Sequence, residues 1–188
     1  LTERPNSVMA VDAISGRVFW KYRHVNDERA LVCCGANNRG VAILGDTVFM
    51  GTLDAHLIAL DRVNGELLWK QEVGDVARAY SVTMAPLVVK DKVIVGVGGG
   101  EFGIRGYVAA YEADTGELAW KTYTIPGPGE SGHDSWEGDD WEHGGAPVWI
   151  TGSYDPELNQ TSWGAGHPGR DSTAGQRPVD PLCHESVL

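Results

Sequence analysis

Short runs of this chain alternate apolar and polar residues with a period of two, the pattern of β-strands buried on one face. Residues 41–44 and 47–50 form such runs on either side of Gly45-Asp46. Residues 87–89 and 93–97 flank Lys90, Asp91 and Lys92 in the same way. The stretch 56–60 is a third strand leading into Asn64-Gly65, where glycine takes a positive φ without steric cost. A fourth strand follows and ends in Trp69, an aromatic large enough to bury substantial area between neighbouring sheets. The pattern predicts four short antiparallel strands per unit.

The unit recurs. Ala10-Val-Asp-Ala-Ile-Ser-Gly-Arg-Val-Phe-Trp20, Ala59-Leu-Asp-Arg-Val-Asn-Gly-Glu-Leu-Leu-Trp69 and Ala110-Tyr-Glu-Ala-Asp-Thr-Gly-Glu-Leu-Ala-Trp120 superimpose: alanine, an acid two later, glycine six later, tryptophan ten later. The tryptophans lie 49 and 51 residues apart. A weaker copy ends at Trp163, with Asp155 in the acid position and no glycine. Four strands at this period describe a propeller blade. The fold expected is all-β: a partial β-propeller, about half of an eight-bladed ring, forming one incomplete domain over residues 1–188. Its blade segments are about 1–30, 40–70, 84–121 and 144–188, of which 40–70 and 84–121 are complete; the first motif is expected to contribute only its last two strands. Blade counting makes the chain an internal portion of a longer protein.

Composition changes this picture little. Glycine (25 residues) and tryptophan (7) are both enriched, which suits a repeated β architecture rich in turns. The net charge of −11 argues against nucleic acid or an anionic membrane as partners. No apolar run approaches the ~20 residues of a membrane span.

Four stretches carry candidate chemistry. Cys33-Cys34 precedes Asn38-Arg39-Gly40; adjacent cysteines close only a strained ring, and strain of that kind usually serves a site. Reduced thiols are the commoner fate of such a pair. Thr83-Met-Ala-Pro86 opens a strand. Gly98-Gly-Gly-Glu-Phe-Gly-Ile-Arg-Gly-Tyr107 lets the backbone approach a flat ligand and adds a carboxylate. Trp136-Glu-Gly-Asp-Asp-Trp141 is followed by Gly144-Gly145, Trp149 and Tyr154-Asp155-Pro156. Singly, each reads as an ordinary strand, hairpin or core element.

Together, in this order, they resemble the quinoprotein alcohol dehydrogenases, which use pyrroloquinoline quinone (PQQ), and the tryptophan repeat resembles that family's docking motif. The resemblance spans residues 8–182. It implies that Cys33 and Cys34 form a disulfide lying against one face of PQQ, with Trp149 stacked on the other. It implies that Arg39 contacts the reactive carbonyl oxygens, that Thr83 hydrogen-bonds the cofactor, and that Gly98, Gly99 and Gly100 line its pocket. Glu101 corresponds to a ligand of the family's metal, Ca²⁺ or a lanthanide. By the same resemblance a primary alcohol passes hydride to PQQ, the metal polarises the quinone carbonyl, electrons leave to a cytochrome c, and the enzyme is periplasmic. No residue of this chain is assigned as catalytic base, because the family's aspartate base falls beyond residue 188, and the chain alone is expected to be inactive.

The pattern breaks in places. His167 stands where the family has an asparagine metal ligand, and imidazole is a poor ligand for Ca²⁺; it either abolishes that contact, alters the metal or is a sequence error. Pro147 replaces a frequent cofactor-binding threonine. Residues 177–188 drift from the family text and read as a degraded sequence end; Cys183 and His184 are too few ligands for a metal site. His24, His56, His133 and His143 show no metal spacing. The alternatives are a non-catalytic propeller scaffold like the outer-membrane assembly lipoproteins, or a sugar or polyol quinoprotein dehydrogenase.

Overall fold

A computed structural model describes residues 1–167, 169 and 187, so the expectations for residues 177–186 and 188, including Cys183 and His184, fall outside it. Thirteen strands occur among the described residues: β1 (Thr2–Glu3), β2 (Ser7–Val11), β3 (Val18–Arg23), β4 (Ala42–Leu44), β5 (Thr47–Gly51), β6 (His56–Asp61), β7 (Leu67–Glu72), β8 (Leu87–Val89), β9 (Lys92–Gly96), β10 (Tyr107–Glu112), β11 (Leu118–Tyr123), β12 (Ser153–Asp155) and β13 (Gln160–Ser162). They form antiparallel sheets in chain order: β1-β2-β3, β4-β5-β6-β7, β8-β9-β10-β11 and β12-β13. The two four-stranded sheets are the two blades that the alternation marks out. The first sheet differs from expectation: it has three strands, because Thr2 and Glu3 pair with Val8 and Ser7. Two residues are too few to leave a periodic signal.

The acid, glycine and tryptophan of the repeat each have a visible cause. Asp12 Oδ1 accepts from the amides of Ile14 and Ser15, Asp61 Oδ1 from Val63 and Asn64, and Asp155 Oδ1 from Glu157 and Leu158. The carboxylate thus closes the turn over itself, an Asx turn. Glu112 is one methylene too long for that geometry and pairs with Lys92 instead. The glycine position needs positive φ: Gly16, Gly65 and Gly116 lie at 73°, 77° and 75°. In the fourth copy Asn159 takes that place at 53°, as asparagine tolerates, so the missing glycine has a substitute.

The tryptophans hold the blades together. Trp20 Nε1 donates to the Arg62 carbonyl at 2.9 Å, and Trp69 Nε1 to the Ala113 carbonyl at 3.1 Å. A Cβ on Gly65 would meet the Trp20 ring at 2.5 Å, and one on Gly116 the Trp69 ring at 2.7 Å. Each indole therefore lies flat on the glycine of the next blade's turn. The core follows the same seams. One cluster, with Phe49, Leu57, Met84, Val95, Tyr111 and Trp163, fills the space between the second and third blades and beyond, and a smaller one, with Val8, Met50, Ile58 and Leu60, lies under the first. Trp69→Ala is expected to destabilise the protein by about 3 kcal/mol, combining lost area, a residual cavity and a buried carbonyl left without its donor. Urea unfolding followed by far-ultraviolet circular dichroism checks it; a change below about 0.5 kcal/mol would show that the indole holds nothing.

Loops at the strand ends are stitched into one surface. The Arg39 amide donates to Thr83 O (3.1 Å), Gly98 N to Ser81 O (2.8 Å), Val148 N to Val97 O (2.9 Å), Ala146 N to His167 O (3.0 Å) and Gly166 N to Pro147 O (2.8 Å). Five segments far apart in sequence meet there.

Candidate quinone site

That surface holds a cavity of about 250 Å³. Its lining includes Cys33, Cys34, Arg39, Thr83, Gly98, Gly99, Glu101, Trp149 and His167. Eight of the nine were singled out from sequence as quinone or metal contacts and the ninth, His167, as the departure at a metal position. Gly100 is not part of the lining; a Cβ there would strike Pro147 at 2.6 Å, so it backs the wall from behind. Val32, Gly35, Asn37, Ser81 and Pro147 complete the lining. Among these only Pro147 stood out in the sequence.

Cys33 and Cys34 are joined by a disulfide and stand exposed at the cavity rim. Cys34 and Gly35 turn the chain at φ 63° and 89°, and Asn37 Nδ2 donates to the Cys34 carbonyl at 2.9 Å to fix the turn. A β-carbon residue at positive φ is strained backbone, of the kind that a site retains. Trp149 is 38% exposed, its ring open to the cavity rather than used in the core. Arg39 lies over it with its guanidinium carbon 4.8 Å from the ring centroid, and its Nη1 donates to Thr83 O at 3.3 Å. Thr83 therefore holds Arg39 through its carbonyl, a contact that its hydroxyl does not predict.

The floor is glycine. Gly99 lies at φ 111°, and a Cβ on it would sit 2.2 Å from the Ala79 carbonyl oxygen; one on Gly98 would sit 2.9 Å from Ser81 Oγ. Glu101 follows in a 3-10 turn over Gly100–Phe102 and lines the cavity. A sulfur bridge, an indole, a glycine floor and an arginine make a slot for a flat anion.

The model of the glucose/ethanol/alcohol dehydrogenase β-propeller domain, the PQQ family, matches residues 1–188. The chain belongs to this family. Quinohemoprotein alcohol dehydrogenase ADH IIB of Pseudomonas putida is 48% identical to this PQQ propeller over 176 residues, covering 85% of it and 25% of the relative. A europium-containing methanol dehydrogenase superimposes with a TM-score of 0.85 at 39% identity, over 93% of this chain and 34% of that one. BamB of Moraxella catarrhalis superimposes with a TM-score of 0.56 at 17% identity, over 86% of this chain and 41% of that one, which speaks for the fold alone. The PQQ propeller spans about a quarter to a third of the dehydrogenases' length.

The residues present fit the quinone better than the cation. A planar polyanion finds an aromatic wall, an arginine and unhindered backbone. For the cation, Glu101 offers the oxygen that a hard ion takes, whereas His167 offers nitrogen. Glu101 alone of the two suits a Ca²⁺ or lanthanide ion, and one carboxylate does not by itself complete such an ion's shell.

A second group escaped the sequence reading altogether. His24, Asp54 and His56 bring one ligand atom each within 4.8 Å of one another. This corrects the expectation that His24 and His56 lie outside any metal-like arrangement: spacing along the chain is 30 and 2 residues from Asp54, and the two blades supply what the spacing conceals. Burial works to raise the Asp54 pKa, but His24, then His56, Thr52 Oγ1 and the Asp27 amide outweigh it and hold the carboxylate well below its ordinary value. Among the described residues His133 and His143 enter no such cluster; their Nδ1 atoms lie 3.3 Å from Pro126 O and 3.0 Å from Gly103 O.

Proposed function

We propose that the protein carrying this chain oxidises primary alcohols to aldehydes in the periplasm, with PQQ as its quinone, a cation of the Ca²⁺ or lanthanide class beside Glu101, and a cytochrome c as electron acceptor. The observation that carries this reading is the cavity between the Cys33–Cys34 disulfide and Trp149, set in a chain of the PQQ family. The relatives' printed names, alcohol and methanol dehydrogenases, supply the substrate class. A disulfide belongs to an oxidising compartment. Among the described residues no helix is long and apolar enough to cross a membrane.

PQQ held in this cavity would supply the oxidant, a quinone able to accept the hydride and proton that an alcohol gives up on becoming an aldehyde. The chain's own residues set the stage. Trp149 and the disulfide hold a planar ligand and keep water from its faces. Arg39 stands over the Trp149 ring with Nη1 on the Thr83 carbonyl, so a flat ligand stacked on the indole would have to move the guanidinium aside, and the arginine would then meet oxygens that gain negative charge. Glu101 places one anionic oxygen for a cation. Stripped of PQQ and titrated with it, the full-length protein is expected to lose tryptophan fluorescence at one equivalent and to reduce a dye when ethanol is added. Full-length protein that takes up no PQQ would overturn this reading.

A further inference from the structure

The His24, Asp54 and His56 cluster lies apart from the quinone cavity and has no part in the chemistry above. It faces its own cavity of about 440 Å³, lined by Asn26, Asp27, Arg29, Asp54, His56, Lys70, Glu72 and Asp75 among others, and the two cavities share no lining residue. His24 leaves the end of β3, in the first sheet. In the second, Asp54 lies in the β5–β6 connection and His56 opens β6; that connection is the counterpart of the β9–β10 connection that carries Gly98 to Glu101 in the third.

The local sequence makes the cluster rigid. Ala55 at φ 57° turns the chain between Asp54 and His56, and Thr52 Oγ1 both donates to Asp54 Oδ1 and accepts from the His56 amide. The Asp27 amide donates to Asp54 Oδ2 at 3.1 Å. His24 Nε2 lies 2.9 and 3.0 Å from the two carboxylate oxygens, with both side chains almost fully buried. His56 Nδ1 lies 3.5 Å from Asp54 Oδ1 and is buried with no hydrogen-bond partner. A buried ring nitrogen left unsatisfied is costly and asks for a partner.

From this geometry we infer a second metal site, in which His24 Nε2, Asp54 and His56 Nδ1 bind a divalent transition ion of the zinc class. Two imidazoles and a carboxylate are the donors that such an ion takes; the Asp54 oxygens lie 2.9–3.5 Å from the two ring nitrogens, a separation that bonds of about 2.1 Å produce, and all three ligand atoms fall within 4.8 Å of one another. The Thr52 and Asp27 donors orient the carboxylate as outer-shell partners do. Acids outnumber bases at the cavity: Asp27, Asp54, Glu72 and Asp75 face Arg29 and Lys70, which favours a cation. Asp54 and His56 line that cavity, which gives an ion a route to them. Since the ligands come from two sheets, the ion clamps the first blade to the second.

Cobalt(II) tests this in the full-length protein, because two imidazoles and a carboxylate give it a visible d–d spectrum that an all-oxygen site does not imitate. One equivalent of Co²⁺ is expected to bring up the band, zinc to displace it, and the melting temperature to rise with metal and fall with chelator. His56→Gln, on the least buried of the three, is expected to weaken uptake at least tenfold, as is Asp54→Asn, while Glu101→Gln keeps the band. X-ray absorption of the zinc-loaded wild type is expected to show two imidazoles, which keeps the test standing if a variant misfolds. No band in the wild type, a band that survives His56→Gln, or one lost only in Glu101→Gln would each overturn the site.

Discussion

Gly99→Ala is expected to destabilise the protein by about 3–5 kcal/mol and to abolish quinone uptake. Two costs fall on one atom. At φ 111° a side chain is strained before any neighbour is considered, and the new Cβ would stand 2.2 Å from the Ala79 carbonyl oxygen. That oxygen cannot retreat easily. Ala79 is itself held at φ 65°, its amide bonded to Val76 O, as the cap of the short turn over Val76–Arg78. Relief must come from moving the loop at Gly99, which caps the turn over Gly100–Phe102, into the cavity that it floors. Urea unfolding and a PQQ titration on the same preparation measure both effects. A variant within about 0.5 kcal/mol of wild type that still bound PQQ would mean that the loop rearranges at little cost.

Arg39→Gln is expected to lower kcat about a hundredfold in the full-length dehydrogenase, with a small change in KM. This rests on the proposed function. The arginine is held through its amide and Nη1 on Thr83 O, beside the Trp149 face that the ligand would take, and it carries positive charge that the glutamine lacks. Charge that develops only during quinone reduction is a transition-state matter, so the loss belongs in kcat. Arg39→Lys is expected to recover little, since an ammonium neither stacks nor donates in the same fork. Dye-linked turnover of a primary alcohol at saturating PQQ decides it; unchanged kcat in Arg39→Gln would remove the arginine from the chemistry.

The blades were legible in the sequence because period-two alternation and the acid–glycine–tryptophan spacing are local. So were most residues of the quinone cavity, because a resemblance in motif order carried Cys33, Arg39, Glu101 and Trp149 to one place that no spacing rule would have brought together. What escaped was non-local or conformational. His24 meets Asp54 only because adjacent blades face each other. Ser81 and Asn37 line the cavity through loop geometry, and Gly100 turns away from it because Pro147 fills the space that its neighbours leave open. Asn159 does a glycine's work without being one, visible only in its φ. Thr83 acts through its carbonyl, which every residue type possesses.

Each of the first three repeats carries a plug, its terminal indole, and a socket, the turn glycine four positions earlier. Trp20 fits the socket of the second repeat and Trp69 that of the third, with an indole N–H finding the same kind of main-chain oxygen each time. A unit built this way is interchangeable. In-register duplication or loss of one whole unit leaves every remaining joint already matched, so such an architecture can lengthen or shorten by copying while only the rim loops diverge to suit new chemistry.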